Sequence, residues 1–123
     1  MADERYVLGV DVGGTKVLAC LTDLAGNVVR EREAPTNAHR GPDAVIQTMV
    51  DTAKEVLREE GAALSSLLGV GVSSAGACDT RAGVILLSPN LPGWTDVPLA
   101  RQMSQGLGVH VYLGNDATLA ALG

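Results

Sequence analysis

The feature that most constrains this chain is an acidic residue inside an apolar strand that runs into two consecutive glycines. Tyr6–Val12 is short and rich in β-branched residues, so it predicts a buried strand, and strand alternation puts Asp11 on the face opposite the apolar side chains. A buried carboxylate is costly unless it is paired, hydrogen-bonded or linked to a metal. Gly13 and Gly14 follow, and residues 17–22 predict a second strand. We therefore expect a tight hairpin with positive φ in its turn.

The composition indicates one folded domain with a core of its own. The chain has 123 residues, 46% of them hydrophobic, and a formal net charge of −5. This balance excludes intrinsic disorder and argues against a nucleic-acid footprint. Two cysteines are too few for a disulfide scaffold, and no apolar run approaches the roughly 20 residues of a membrane helix. The start of the chain has no signal-peptide pattern, so we expect a cytoplasmic protein that contacts neither nucleic acid nor membrane.

The remaining periodicity predicts an α/β fold with a mixed sheet. Residues 28–34 form a third, more polar strand, so the chain begins with an antiparallel three-stranded meander. An amphipathic helix begins at Pro42 and stops at Gly61. Alternating strands and helices follow, with a small-residue loop at 74–79 and an irregular segment at 88–94. They are strands at 67–73, 84–87 and 109–113, a helix at 98–106, and a last helix that runs from 116 to the end.

The glycine hairpin has the chemistry of a phosphate site without either common glycine motif. It is not a P-loop, because the order is Gly-Thr-Lys and strand formers follow, and its glycine spacing does not fit a dinucleotide fingerprint. Turn N–H groups beside Gly13 and Gly14 can face an anion. Asp11 can hold a hydrated Mg²⁺ beside it, and Thr15 and Lys16 can donate hydrogen bonds. The alternative is a hairpin in which the aspartate only caps turn amides.

Four segments, taken in order, resemble the ROK family (repressors, open reading frames, kinases) of actin-like sugar kinases. They are residues 11–16 (DVGGTK), 69–76 (GVGVSSAG), 88–94 (SPNLPGW) and 115–123 (NDATLAALG). The resemblance covers nearly the whole chain. It implies a ribonuclease H-like, actin-like ATPase lobe, in which residues 11–16 are the first phosphate-binding hairpin for ATP and Mg²⁺.

The resemblance also implies roles for four residues near the sugar. Asp116 is expected to be the general base on the sugar hydroxyl that attacks the γ-phosphate of ATP, which requires hydrogen-bond reach of that hydroxyl. Asn90, Asn115 and Asp116 are expected to bind sugar hydroxyls, and Gly76 to let the backbone approach the sugar. The alternatives are that Asn115 or Asp116 caps the last helix, and that Asn90 is a turn residue.

In the kinases of this family, such a region is only the first lobe. Residues 1–123 are then a single N-terminal lobe, and the second lobe, with another glycine motif, the adenosine pocket and in many members a zinc site, is absent from this chain. We expect no zinc site here, a homo-oligomeric parent protein that phosphorylates a hexose or an amino sugar, and an inactive isolated lobe, because phosphoryl transfer needs charge neutralisation from several sides.

Three other interpretations remain open. The chain can be a non-catalytic sugar-binding or regulatory domain of the same family, although its acidic charge and a first strand close to Met1 weigh against the DNA-binding branch. It can be a standalone domain that pairs with a separate second-lobe chain. It can also be an actin-like domain that binds nucleotide only for assembly, although Asn90 and residues 115–116 favour a sugar.

Overall fold

The computed structural model describes residues 4–74 and 76–114. These residues form eight strands, two α-helices and two short 3₁₀ turns. The strands are β1 (Tyr6–Val12), β2 (Lys16–Asp23), β3 (Val28–Pro35), β4 (Leu67–Ser74), β5 (Ala77–Asp79), β6 (Val84–Leu87), β7 (Thr95–Val97) and β8 (Tyr112–Leu113), and the helices are α1 (Pro42–Glu60) and α2 (Leu99–Leu107). The 3₁₀ turns span Ala38–Arg40 and Leu64–Ser66.

The main sheet is mixed, as predicted, with the strand order β3-β2-β1-β4-β8. Strands β1, β2 and β3 form the expected antiparallel meander, and polar β3 lies at the edge. Strands β1, β4 and β8 are parallel to one another. The carboxyl ends of these three strands therefore meet at one edge of the sheet, which is where ligands bind in open α/β sheets.

The core lies between one face of this sheet and the two helices. Every second residue of β1 points into it, and Leu8, Val10 and Val12 are at most 1% exposed. The apolar stripe of α1 predicted from the sequence is buried against the same face. As predicted, Pro42 begins α1, and Gly61 ends it in the left-handed conformation (φ 70°) with its N–H bonded to the Arg58 carbonyl. Within residues 4–74 and 76–114, no helix is both long and apolar enough to span a membrane.

A second, three-stranded sheet was not predicted. Strands β5, β6 and β7 pair in that order, antiparallel. The sequence predicted β6 alone, and it predicted irregular chain at residues 74–79. Strands β5 and β7 have three residues each and owe their extended form to pairing with β6, which no local periodicity reveals.

Strand β8 is shorter than the predicted strand at 109–113. It covers only Tyr112–Leu113, which pair with Gly71 and Val72 of β4. The Val111 N–H donates instead to the Ser104 hydroxyl at 3.0 Å, so α2 takes the hydrogen bond that a longer ladder would use. The helix predicted from residue 116 onward lies outside the described residues.

Candidate functional site

Asp11 and Ser73 form the centre of the site, at the carboxyl ends of β1 and β4. The two residues are register partners in the parallel ladder, so their side chains leave the sheet on the same face. The Ser73 hydroxyl donates to Asp11 Oδ1 at 2.7 Å. Ser73 is only 2% exposed, so its hydroxyl is held by the surrounding residues and orients the Asp11 carboxylate. The sequence did not single out Ser73 for this role.

The expectation that Asp11 is a buried carboxylate was wrong. Asp11 is the one exposed residue of β1, because it lies on the sheet face opposite α1. Its Oδ2 has no hydrogen-bond partner in residues 4–74 and 76–114, so one carboxylate oxygen remains available to a ligand. The alternative role as a cap of turn amides gains no support, since the Asp11 carboxylate accepts its hydrogen bond from a serine hydroxyl across the ladder and not from a turn amide.

The glycine hairpin is present, but its turn differs from the predicted one. Neither Gly13 nor Gly14 adopts a positive φ. The strand pairing ends at Val12 and Val17, which leaves a four-residue loop closed by a 2.9 Å hydrogen bond from Gly13 N–H to the Lys16 carbonyl. Loops of this length are usually built around a type I turn, which needs no left-handed residue.

Asn90 closely approaches Gly14. A Cβ added at position 14 would lie 3.2 Å from the Asn90 Cβ and 3.3 Å from its carbonyl oxygen. The predicted phosphate hairpin and the predicted sugar-binding segment are therefore in contact. The N–H groups of Gly14 and Thr15 have no acceptor in the described part of the chain, so they are open donors beside Asn90.

Lys16 has a partner on the neighbouring strand. Its Nζ lies 3.0 Å from Glu33 Oε2, with more than half of each side chain exposed. Exposed pairs of this kind contribute about 0–1 kcal/mol, so the lysine is free to exchange its partner for a phosphate. Its predicted role, like that of the exposed Thr15, stays a prediction.

Gly76 positions the segment that carries Asn90. Its φ is 107°, and an added Cβ would overlap the Leu87 carbonyl oxygen and lie 3.0 Å from Ser88 Cα. Only glycine combines this conformation with this contact. The segment is further fixed by Trp94, which is 1% exposed and whose carbonyl accepts from Ser88 N–H at 3.3 Å. Asn90 itself is exposed.

Asn115 and Asp116, the predicted sugar ligand and general base, lie outside the described residues. The chain that leads to them is described: β8 ends at Leu113, and Gly114 N–H donates to the Val72 carbonyl at 3.0 Å. This strand therefore reaches the same sheet edge as Asp11 and Ser73. The two cysteines take no part in this cluster, and both are free thiols.

Thr36 is a site residue that no sequence pattern indicates. It is 1% exposed, and it binds the hairpin twice: its hydroxyl donates to the Gly13 carbonyl at 2.8 Å, and its N–H donates to the Thr15 carbonyl at 3.0 Å. A single threonine just after a polar edge strand looks like any loop residue. Only the through-space contact reveals that it braces the phosphate hairpin.

Replacing Thr36 with valine is expected to lower the free energy of unfolding by about 1–2 kcal/mol, because it removes a buried donor while keeping the side-chain volume. Urea unfolding of the purified protein measures the loss. The matched control is Thr52→Val, since Thr52 is also buried but its hydroxyl donates to the helical carbonyl of Thr48, and this substitution is expected to cost less. Equal losses for both variants would contradict a bracing role for Thr36.

Comparison with known proteins supports the resemblance to the ROK family that the four sequence segments indicate. Residues 7–123 match the model of the ROK family. The chain is 32% identical over 120 residues to a glucokinase of Halalkalibacterium halodurans, covering 98% of this chain and 36% of that protein. It is also 26% identical over 121 residues to a xylose repressor of Caldicellulosiruptor bescii, covering 98% of this chain and 30% of the repressor. The chain thus spans about a third of the length of these relatives.

Solved structures agree on the fold. The ROK hexokinase of Thermus thermophilus superposes with a TM-score of 0.82 at 34% identity, over 96% of this chain and 37% of the hexokinase. A ROK family glucokinase of Streptomyces griseus, in complex with glucose and AMPPNP, gives a TM-score of 0.80 at 28% identity, over 94% of this chain and 35% of the glucokinase. The mixed sheet is accordingly that of the actin-like ATPase fold. With the motifs, the site geometry and the matched residues in agreement, the chain belongs to the ROK family.

Proposed function

We propose that this chain is the N-terminal lobe of an ATP-dependent hexose kinase of the glucokinase type. The observation that carries the proposal is the contact between Gly14 and Asn90, because it brings the open N–H donors of the glycine hairpin next to an exposed amide at the edge where β1, β4 and β8 end. A phosphate donor and a sugar acceptor must lie side by side for direct transfer. The glucokinase relatives, and the complex of one with glucose and AMPPNP, support this pairing of ligands.

In the proposed reaction, the Asp116 carboxylate accepts the proton of a sugar hydroxyl. That hydroxyl oxygen forms a bond to the γ-phosphorus of ATP while the bond from phosphorus to the bridging oxygen breaks, so the products are a sugar phosphate and ADP. The N–H groups of Gly14 and Thr15 stabilise negative charge on the phosphates, and Lys16 adds a positive charge when it leaves Glu33. Asn90 and Asn115 orient the sugar, and Gly76 keeps the backbone close to it.

The donor set fits a hydrated Mg²⁺ at Asp11. Magnesium in nucleotide sites commonly keeps several waters and uses one or two carboxylates together with the substrate phosphates. Asp11 offers one carboxylate, oriented by Ser73 through Oδ1 and open at Oδ2. Within residues 4–74 and 76–114, no group of three or more acidic, histidine or cysteine side chains is arranged to hold a metal ion. When bound, the ion would neutralise charge on the transferring phosphate.

The proposal requires a second lobe. Residues 4–74 and 76–114 offer phosphate donors on one side only, whereas transfer needs positioning of the nucleotide and of the sugar from both sides. We therefore propose that residues 1–123 act together with a second lobe in a cytoplasmic, homo-oligomeric kinase for a hexose or an amino sugar, and that the isolated lobe is inactive.

Replacing Asp11 with asparagine is expected to lower kcat for sugar phosphorylation by about 10²–10³-fold, the usual cost of removing one preorganised electrostatic group. Asparagine keeps the shape and can still accept the hydrogen bond from Ser73, so the free energy of unfolding should change by no more than about 0.5 kcal/mol. The measurement is steady-state kinetics of the full-length protein with Mg-ATP and glucose.

The matched control is Glu31→Gln, which removes an equal charge from an exposed carboxylate of β3 on the same sheet face. It should leave kcat unchanged within about twofold, since exposed charges far from the reacting atoms are screened. If the kcat of the Asp11→Asn variant lies within tenfold of that of the unaltered protein, Asp11 does not act at the phosphate site.

A second candidate function is sugar sensing without catalysis. It is favoured by the xylose repressor relatives, which match this chain over nearly the same residues as the glucokinases. Both functions need the sugar-binding residues Asn90 and Asn115, but only the kinase needs Asp11 beside a nucleotide. Calorimetry of hexose binding with and without Mg-ATP separates them. For a sensor, ATP does not change the binding of the hexose, whereas the kinase converts the hexose and ATP to products.

A further inference from the structure

A partly open cavity of about 410 Å³ lies beside α2. Its walls come from the turn between β5 and β6, from one side of α2, and from the segment that enters β8. None of its lining residues belongs to the phosphate hairpin or to the segment around Asn90. Its volume is within the range of small-molecule sites, which commonly measure about 300–1,000 Å³.

The three walls are fixed to one another by specific contacts. Asp79 Oδ1 accepts hydrogen bonds from the N–H groups of Arg81 and Ala82 at 3.1 Å, which holds the turn. Gly83, with φ 72°, lies so close to α2 that an added Cβ would be 2.6 Å from the Ala100 Cβ, and its carbonyl accepts from Ala100 N–H at 3.1 Å. On the other side, Ser104 binds the segment that enters β8. The cavity is therefore preorganised.

The charge of the cavity is opposite to that of the chain. Arg81, Arg101 and His110 line it, and no aspartate or glutamate does, although the chain carries a net charge of −5. Across residues 4–74 and 76–114, the ion pairs involve Lys16, Arg30, Arg32 and Arg58, and neither cavity arginine takes part. Two arginines with no carboxylate partner among the described residues, both lining one partly open cavity, are a typical arrangement for binding an oxyanion.

Ser104 adds a hydrogen-bond donor to the cavity, and His110 and Tyr112 add an aromatic wall. The Ser104 hydroxyl accepts from Val111 N–H, and its own hydrogen remains available for donation. The rings of His110 and Tyr112 pack edge to face with centroids 4.4 Å apart, so this side of the cavity is aromatic. We propose that this cavity binds a small phosphate monoester, with the phosphoryl group between Arg81 and Arg101 and the organic part against His110 and Tyr112.

The test is titration of the ¹⁵N-labelled protein with inorganic phosphate, followed by NMR of backbone amides. Binding is expected to shift the amides of residues 80–83 and 110–112, and either Arg81→Gln or Arg101→Gln should weaken it about tenfold or more, because each removes a charge-assisted pair. Arg40→Gln is the matched control, since Arg40 is an exposed arginine outside the cavity, and should leave the affinity unchanged.

Three results would overturn this assignment. One is the absence of phosphate-dependent shifts at residues 80–83 and 110–112, and another is equal binding of acetate, which would mark a site for any anion. The third is binding that shifts only Gly14 and Thr15 and survives both cavity substitutions. That last result places the anion at the hairpin, so failure here leaves the proposed kinase function intact and separately testable.

Discussion

Replacing Asp116 with alanine is expected to lower kcat for sugar phosphorylation by about 10²–10⁴-fold, the usual contribution of a general base. The proposed reaction needs a group that accepts the hydroxyl proton as the bond to phosphorus forms, and Asp11 cannot fill this role because it faces the nucleotide phosphates in the same proposal. The KM for the sugar should change much less than kcat, since the base acts mainly in the transition state. Steady-state kinetics of the full-length protein with Mg-ATP and glucose measure both.

The neighbouring residue provides the control for this experiment. Asn115→Ala is expected to raise the KM for the sugar with a smaller effect on kcat, because Asn115 is proposed to bind a hydroxyl and not to move a proton. If Asp116→Ala retains turnover within about tenfold of the unaltered protein, Asp116 is not the base. A loss of stability without a selective loss of kcat would instead indicate a helix cap.

Replacing Gly76 with alanine is expected to lower the free energy of unfolding by about 3–5 kcal/mol, because backbone strain and overpacking act together. The φ of 107° is unfavourable for any residue with a Cβ, and the added methyl group would overlap the Leu87 carbonyl oxygen. Relief of this overlap must displace residues 87–89 and with them Asn90. The KM for the sugar should therefore rise by at least about tenfold, since small misplacements at a site are costly.

Gly26→Ala separates the two causes. Gly26 has a similar φ of 90°, but an added Cβ there meets no atom within 4 Å. Only the strain remains, so the expected loss is about 1–2 kcal/mol, with an unchanged KM for the sugar. Urea unfolding and kinetics of the two variants in parallel give the comparison. If both variants lose the same stability and keep the same KM, the contact between Gly76 and Leu87 does not position Asn90.

The elements that the sequence predicted well are those whose burial follows a local period. In β1, alternate residues from Tyr6 to Val12 are buried, and α1 buries the stripe expected from its 3.6-residue spacing. The antiparallel meander and the mixed character of the sheet were also predicted, whereas the strand order comes from the structure. Strands β5 and β7 have no such pattern, since three residues held by pairing with β6 carry too few positions to show one.

The candidate site could be predicted in its residue types but not in its contacts. The glycines at positions 13 and 14 were expected to take a positive φ and do not, whereas the close approach of Asn90 to Gly14 was not expected. Asp11 was expected to be buried, and it is exposed because the helices described pack on the other sheet face. Thr36 and Ser73 support the hairpin and the carboxylate through contacts between residues 23 and 62 positions apart, which no local pattern encodes.

Whether the full-length protein that contains this lobe transfers phosphate to a sugar is tested most directly by ³¹P NMR. The protein is mixed with Mg-ATP and a hexose. Glucose is the first acceptor to use, followed by mannose, fructose, N-acetylglucosamine and N-acetylmannosamine. We predict that a phosphate monoester signal of the sugar appears as the γ-phosphate signal of ATP declines, and that Asp116→Ala slows both changes equally. Binding of a hexose with no phosphate monoester formed from any of these sugars would contradict the kinase function and favour sugar sensing.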